Sequence, residues 1–158
     1  CALNCEKSFS TKPSLVSSVQ TYNVDLKKRS LELNEVKFEK VSEKDNELTG
    51  LWRITSRANT DGVMNEMQPG PRKTLKIMGG GCFQWFAINT ATREFSGTGG
   101  GTYSLDKGKY TEKIEFFSRD NNRVGAQLIF DAEVKNGKWL HSGKSSKGDP
   151  VKEIWTKL

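Results

Sequence analysis

Glu112 and His141, the only histidine in the chain, are the side chains best suited to proton transfer. Such chemistry needs an acid and a base within hydrogen-bond reach in a shielded place, with the carboxylate holding one imidazole tautomer. Glu112 shares strand parity with Tyr110 and Ile114, and His141 shares it with Trp139, so both are expected to face an interior. There they would form an acid-base pair or an internal polar pair without chemistry; at a strand end, His141 would simply meet solvent. Cys82, between Gly81 and Phe83, offers a thiol without a neighbouring base, too little for a thiol enzyme. The glycines of Gly97-Thr98-Gly99-Gly100-Gly101 precede a strand-like Thr102-Tyr103-Ser104-Leu105, so no helix N-terminus follows to receive phosphate, and they read as turn glycines. No Cys-x-x-Cys pair or other metal-ligand spacing is present, and no cofactor is implied. Four tryptophans remain, Trp52, Trp85, Trp139 and Trp155, whose rings would line an apolar pocket, stack on a sugar or fill a small barrel.

The elements that must position these residues read as short strands. With 158 residues, 34% hydrophobic and 28% charged, the chain has the size and composition of one globular domain with an appended segment. No apolar run reaches the ~18 residues a membrane-spanning helix needs. Strands are expected over 50–57, 73–78, 82–88, 93–96, 102–105, 109–118, 124–134, 138–142 and 151–157. Gly79-Gly80-Gly81, Asp106-Lys107-Gly108, Asp120-Asn121-Asn122 and Asn136-Gly137 supply turn residues between them. Such tight connections force antiparallel neighbours, and closing the meander removes its edges. Alternation places Trp52 and Ile54, Leu75 and Ile77, Tyr110, Glu112, Ile114 and Phe116, and Ala126, Leu128, Phe130, Ala132 and Val134 on inward faces. Residues 82–88 carry aromatic or apolar side chains on both parities, which suggests a strand covered on both faces, with the N-terminal arm on the outer one.

Residues 1–47 read differently. Ser, Thr, Lys and Asn dominate the first 29, which end in Lys27-Lys28-Arg29, the composition of a tether or loosely packed arm. Leu31 and Leu33 alternate, then Val36 and Phe38 resume on the other parity, consistent with two short strands and a bulge or with a short amphipathic helix. Residues 42–47 form a polar connector. Eight basic and eight acidic residues balance over residues 1–48, so the net charge of +6 sits on the remainder, as scattered side chains without a nucleic-acid motif. The chain begins with Cys1 and not Met, from which we expect removal of a preceding segment and export, with a lipid on the Cys1 thiol or an unmodified thiol as open alternatives. Three cysteines leave two arrangements open: a Cys5 to Cys82 bridge beside a lipidated Cys1, or buried or unpaired thiols.

Gly50-Leu51-Trp52 opens the first barrel strand, Gly101-Thr102-Tyr103 a middle one, and Tyr110-Thr111-Glu112-Lys113-Ile114 the next, while Glu153-Ile154-Trp155-Thr156-Lys157 closes the chain. This ordered set resembles the DUF4488 family, lipocalin-like (calycin-type) secreted or membrane-associated proteins of Bacteroidetes, over residues 48–158. The resemblance implies a secreted or periplasmic domain and carries no catalytic residues. It implies architectural roles for Gly50, Trp52 and Trp155, with the tryptophan of Gly-x-Trp plugging one end of the barrel against a basic side chain, either Lys157 or Arg53.

The expected protein is therefore all-β: an N-terminal arm over 1–47 and an antiparallel up-and-down lipocalin-like barrel of about eight to ten strands over 48–158. Its expected role is binding a small hydrophobic or amphipathic ligand in the lumen through Trp85, Tyr103, Tyr110, Phe116, Phe130 and Trp139, with Glu112 and His141 orienting a polar group. The alternative is an envelope or extracellular module with a filled barrel that contacts a protein or glycan, and a further one is a small-barrel enzyme using Glu112 and His141. A lumen of ~300 Å³ or more that exposes Glu112 would separate the first from the second.

Overall fold

The computed structural model describes residues 1–41 and 45–158. The expected connector over 42–47 lies partly outside them, since Ser42, Glu43 and Lys44 are not described. Among the described residues thirteen strands form two sheets, both antiparallel throughout.

The first sheet is a four-stranded meander of β1 (Ala2–Glu6), β2 (Val19–Leu26), β3 (Ser30–Leu33) and β4 (Val36–Glu39). The expectation of a tether is corrected here. The polar composition misled because no residue of this sheet is buried, so it alternates weakly and rests on its ladder and on cross-strand bonds such as Thr21 to Asn4. Asn34 and Glu35, both at positive φ, make a two-residue hairpin between β3 and β4, which explains the parity change without a bulge or a helix. From the loop after β1, Phe9 stacks on Phe86 at 5.2 Å, covering the outer face of the strand whose two apolar parities had suggested such a cover. Cys1, Cys5 and Cys82 are all free thiols, which removes the Cys5 to Cys82 bridge.

Eight strands close the barrel: β5 (Gly50–Ala58), β7 (Arg72–Gly79), β8 (Cys82–Asn89), β9 (Glu94–Asp106), β10 (Lys109–Phe117), β11 (Gln127–Lys135), β12 (Lys138–Lys144) and β13 (Pro150–Lys157). Each pairs with the next, and β13 returns to β5, while the short β6 (Met64–Glu66) adds to the far end of β5. The turn residues at 80–81, 107–108 and 136–137 all have positive φ, as two-residue hairpins require. Antiparallel pairing puts these three tight turns at one end of the barrel, with Gly50 and Lys157, and leaves the longer loops at the other.

The tight end is packed solid. Trp52 and Leu48 are fully buried, the Trp52 indole N–H donates to the Leu48 carbonyl at 2.7 Å, and the Lys157 ammonium lies 5.5 Å from the Trp52 ring. Lys157, not Arg53, thus supplies the basic partner of the plug. Above it Tyr103, Tyr110 and Trp139 interleave, with Tyr110 edge-on to Trp139 at 5.2 Å.

Two expectations about strands fail for instructive reasons. The glycines from Gly97 to Gly101 are not a turn but the middle of the thirteen-residue β9. A Cβ on Gly99 would stand 2.8 Å from the Trp85 indole nitrogen and 2.9 Å from Phe117, and one on Gly101 would stand 2.0 Å from the Lys113 carbonyl oxygen. The glycines therefore make a bare wall on which neighbouring rings and backbone lie directly. In β7 the inward residues are Lys76 and Met78, whereas Ile77 is 52% exposed, so the assignment of Leu75 and Ile77 to the interior had the parity inverted.

Candidate functional site

The open half of the barrel holds a cavity of ≈ 420 Å³. Of the eight residues expected in the lumen, Trp85, Glu112, Phe130 and His141 line it. Tyr103, Tyr110 and Trp139 face inward too, but they belong to the packed layer beneath. Phe116 does not face inward: a bulge in β10 between Ile114 and Phe116 reverses the alternation, leaving Phe116 42% exposed and turning Phe117 into the cavity. Phe117 meets Trp85 edge-on at 5.3 Å.

The polar floor is built by register. His141 of β12 and Glu153 of β13 are direct cross-strand partners, and their side chains approach at 3.4 Å between Nδ1 and Oε2. The same oxygen of Glu153 accepts from the Trp155 indole N–H at 3.0 Å, and its other oxygen accepts from Arg57 Nε at 3.0 Å and Nη2 at 2.6 Å. Burial pushes the Glu153 carboxyl up, but the hydrogen bond and charge of His141, with Arg57 and Lys76, overcome it and hold the group at about 2. His141 moves down from 6.5, chiefly because burial disfavours its charged form, against the opposing pull of Glu153. At neutral pH the imidazole is therefore uncharged beside an ionised carboxylate, which places its proton on Nδ1. The His141 Nε2 atom is buried without a hydrogen-bond partner.

Glu112 is not the partner of His141, contrary to the pairing considered from sequence. Its Oε2 accepts from the Tyr110 hydroxyl at 2.8 Å and faces the Lys76 ammonium at 3.5 Å. Parity put Glu112 and His141 inside together, but each is satisfied by another group, His141 by its cross-strand partner Glu153 and Glu112 by Tyr110 of its own strand and Lys76 across the barrel. Burial, followed by the Glu112 charge and hydrogen bond, raises Tyr110 well above its ordinary value, so it stays a neutral donor.

Lys76 is the residue that sequence reasoning missed most. It is 4% exposed, and its ammonium stands 5.2–5.4 Å from the rings of Phe83, Tyr110, Trp139 and Trp155. Four ring faces and one carboxylate replace the water this cation gives up. Its parity with Met78 was the available signal. Glu153 was legible as well, since it shares parity with Val151 and Trp155 in the last strand. At the open end Arg72, Arg119 and Arg123 also line the cavity. Arg123 lies 4.6 Å from the Phe117 ring and pairs with Asp120 at 3.4 Å, while Arg119 donates to the Ser96 carbonyl. Among the described residues no group of three or more His, Cys, Asp or Glu side chains is placed to hold a metal ion.

This arrangement can solvate an apolar body between rings while presenting polar atoms at both ends. Comparison with known proteins bears on the scaffold. A lipocalin-like protein from Bacteroides uniformis is 15% identical, with a TM-score of 0.51 over 72% of this chain and 100% of that one. An uncharacterized protein from Bacteroides eggerthii is 14% identical, with a TM-score of 0.48 over 70% of this chain and 99% of the other. No curated protein matches. Residues 47–158 match the model of a domain of unknown function, DUF4488, and with more than half of its length matched the chain belongs to that family, on a lipocalin-like barrel.

Proposed function

We propose that the barrel binds a small amphipathic molecule in its open half. The observation that carries this reading is the ≈ 420 Å³ cavity with Glu112 in its lining, which lies within the size range of small-molecule sites. A barrel filled by its own side chains, as a pure interaction module would have, leaves no such space. The apolar part of the ligand lies against Trp85, Phe117 and Phe130, and Glu112 and His141 form the polar end of the lining. Catalysis is not part of the proposal, because the acid-base pair it required is divided between two separate networks.

The test uses N-phenyl-1-naphthylamine, a neutral apolar fluorophore whose emission rises when it leaves water. One molecule is expected to bind per chain. Ala87 lines the cavity and is buried, so Ala87→Trp fills the space and is expected to abolish the signal while the far-ultraviolet circular dichroism stays that of a β-barrel. No binding by the natural chain, or equal binding by A87W, would sink the lumen reading.

A further inference from the structure

From the charges that line this cavity we infer that its ligand is an amphipathic anion, held with its charged group at the mouth among Arg72, Arg119 and Arg123 and its apolar body directed inward. The inference rests on the lumen reading above and adds to it the charge class and orientation of the ligand.

Five cationic side chains line the cavity, Arg57, Arg72, Lys76, Arg119 and Arg123, against the two carboxylates of Glu112 and Glu153. Both carboxylates are engaged, Glu112 by Lys76 and Glu153 by Arg57. Buried Lys76 and exposed Arg57 are thereby neutralised, and the surplus falls on the three remaining arginines. Arg119 donates to a neutral backbone carbonyl, which leaves its charge uncompensated. Arg123 has Asp120 beside it. Among the described residues Arg72 makes no ion pair or side-chain hydrogen bond, and it is exposed where β7 begins.

A mouth that carries about two excess positive charges beside low-dielectric walls focuses its field on an entering anion. Guanidinium forks match the paired oxygens of a carboxylate, phosphate or sulfate. Behind the arginines the walls turn apolar, with Phe117 and Phe130 among the lining rings. An anion placed head-inward would have to displace Glu112 from Lys76 or Glu153 from Arg57, so that each gain would strand a buried carboxylate. Head-out binding disturbs neither pair.

Three probes of equal chain length test this: dodecanoate, 1-dodecanol and dodecyltrimethylammonium, each below its micelle concentration, competing with bound N-phenyl-1-naphthylamine. Dodecanoate is expected to bind about tenfold more tightly than the alcohol at low salt, with the cation weakest. The advantage is expected to shrink as salt rises. In Arg72→Gln, and in the Arg72→Gln/Arg119→Gln double variant, the acid-to-alcohol ratio is expected to fall toward one; a ratio cancels any loss of folded protein common to both ligands. Equal binding of acid and alcohol, or preference for the cation, would overturn the inference and leave lumen binding standing. An acid preference that survives in both variants would overturn the head-out orientation. Failure of the fluorophore and the alcohol to bind at all would remove the lumen reading and this inference together.

Discussion

Replacing Glu153 by Gln is expected to remove one specific step of acid destabilisation. Folding moves this carboxyl from an ordinary 4.5 to about 2, so between those values the unfolded chain binds more protons than the folded one. The stability this provides is complete above about pH 4.5 and is lost as pH falls through 2. A difference of about 2.5 units at 1.36 kcal/mol each corresponds to about 3 kcal/mol. With a urea slope of ~2 kcal/mol per molar, the natural chain should lose ~1.5 M of its urea midpoint between pH 4.5 and pH 2 from this group. Other carboxylates add slopes of their own, so the informative quantity is the difference between the natural chain and E153Q, followed by tryptophan fluorescence in urea. At pH 7 the variant should be the less stable by a similar amount, because Arg57 and the Trp155 N–H lose an ionised acceptor. Below pH 4.5 the two curves should converge. Parallel loss of stability in both proteins would refute the argument, since it would show that Glu153 titrates alike in the folded and unfolded chain.

Lys76→Met is expected to cost about 3–5 kcal/mol in urea unfolding at pH 7, because it strands the buried Glu112 carboxylate, and the double variant with Glu112→Gln is expected to regain most of that. Glu112→Gln alone should cost less than K76M, since four ring faces still hold the ammonium; the opposite order would refute the cage. Gly101→Ala is expected to cost more than ~3 kcal/mol or prevent folding, with its Cβ 2.0 Å from the Lys113 oxygen, while Gly79→Ala, with nothing within 4 Å, should stay within ~0.5 kcal/mol in thermal unfolding. Equal melting of the two variants would mean that β9 and β10 can separate freely at that point.

Alternation and turn chemistry made the barrel legible. Asp106-Lys107-Gly108 and Asn136-Gly137 have one plausible use, and the strands they join pair in the expected order. Trp52 and Ile54, with Arg53 and Thr55 on the other parity, are buried. What failed did so where one residue's position depended on another strand. Nothing local in β10 announces its bulge, which arises where Ile114 and Phe116 face the consecutive glycines Gly101 and Gly100 across the ladder. Those glycines read as a turn because turns are their commonest use; their role here, admitting Trp85, Phe117 and the Lys113 backbone to close range, exists only once β8 and β10 flank them.

The site shows the same limit more sharply. Parity is a property of one strand and correctly turned both Glu112 and His141 inward, but register is a property of two strands and decides which side chains meet. Register sets His141 opposite Glu153, and it sets Lys76 between Trp52 and Trp85. An inward lysine beside exposed Ile77 looks like an error of alternation until the rings around it are known. The polar groups of the lumen are held in two closed pairs, Lys76 with Glu112 across the barrel and exposed Arg57 with buried Glu153, and not in one open acid-base couple. Closed pairs hold no charge in reserve for a ligand. Whatever charge the lumen offers must then come from its rim, where the sequence had shown only scattered basic residues.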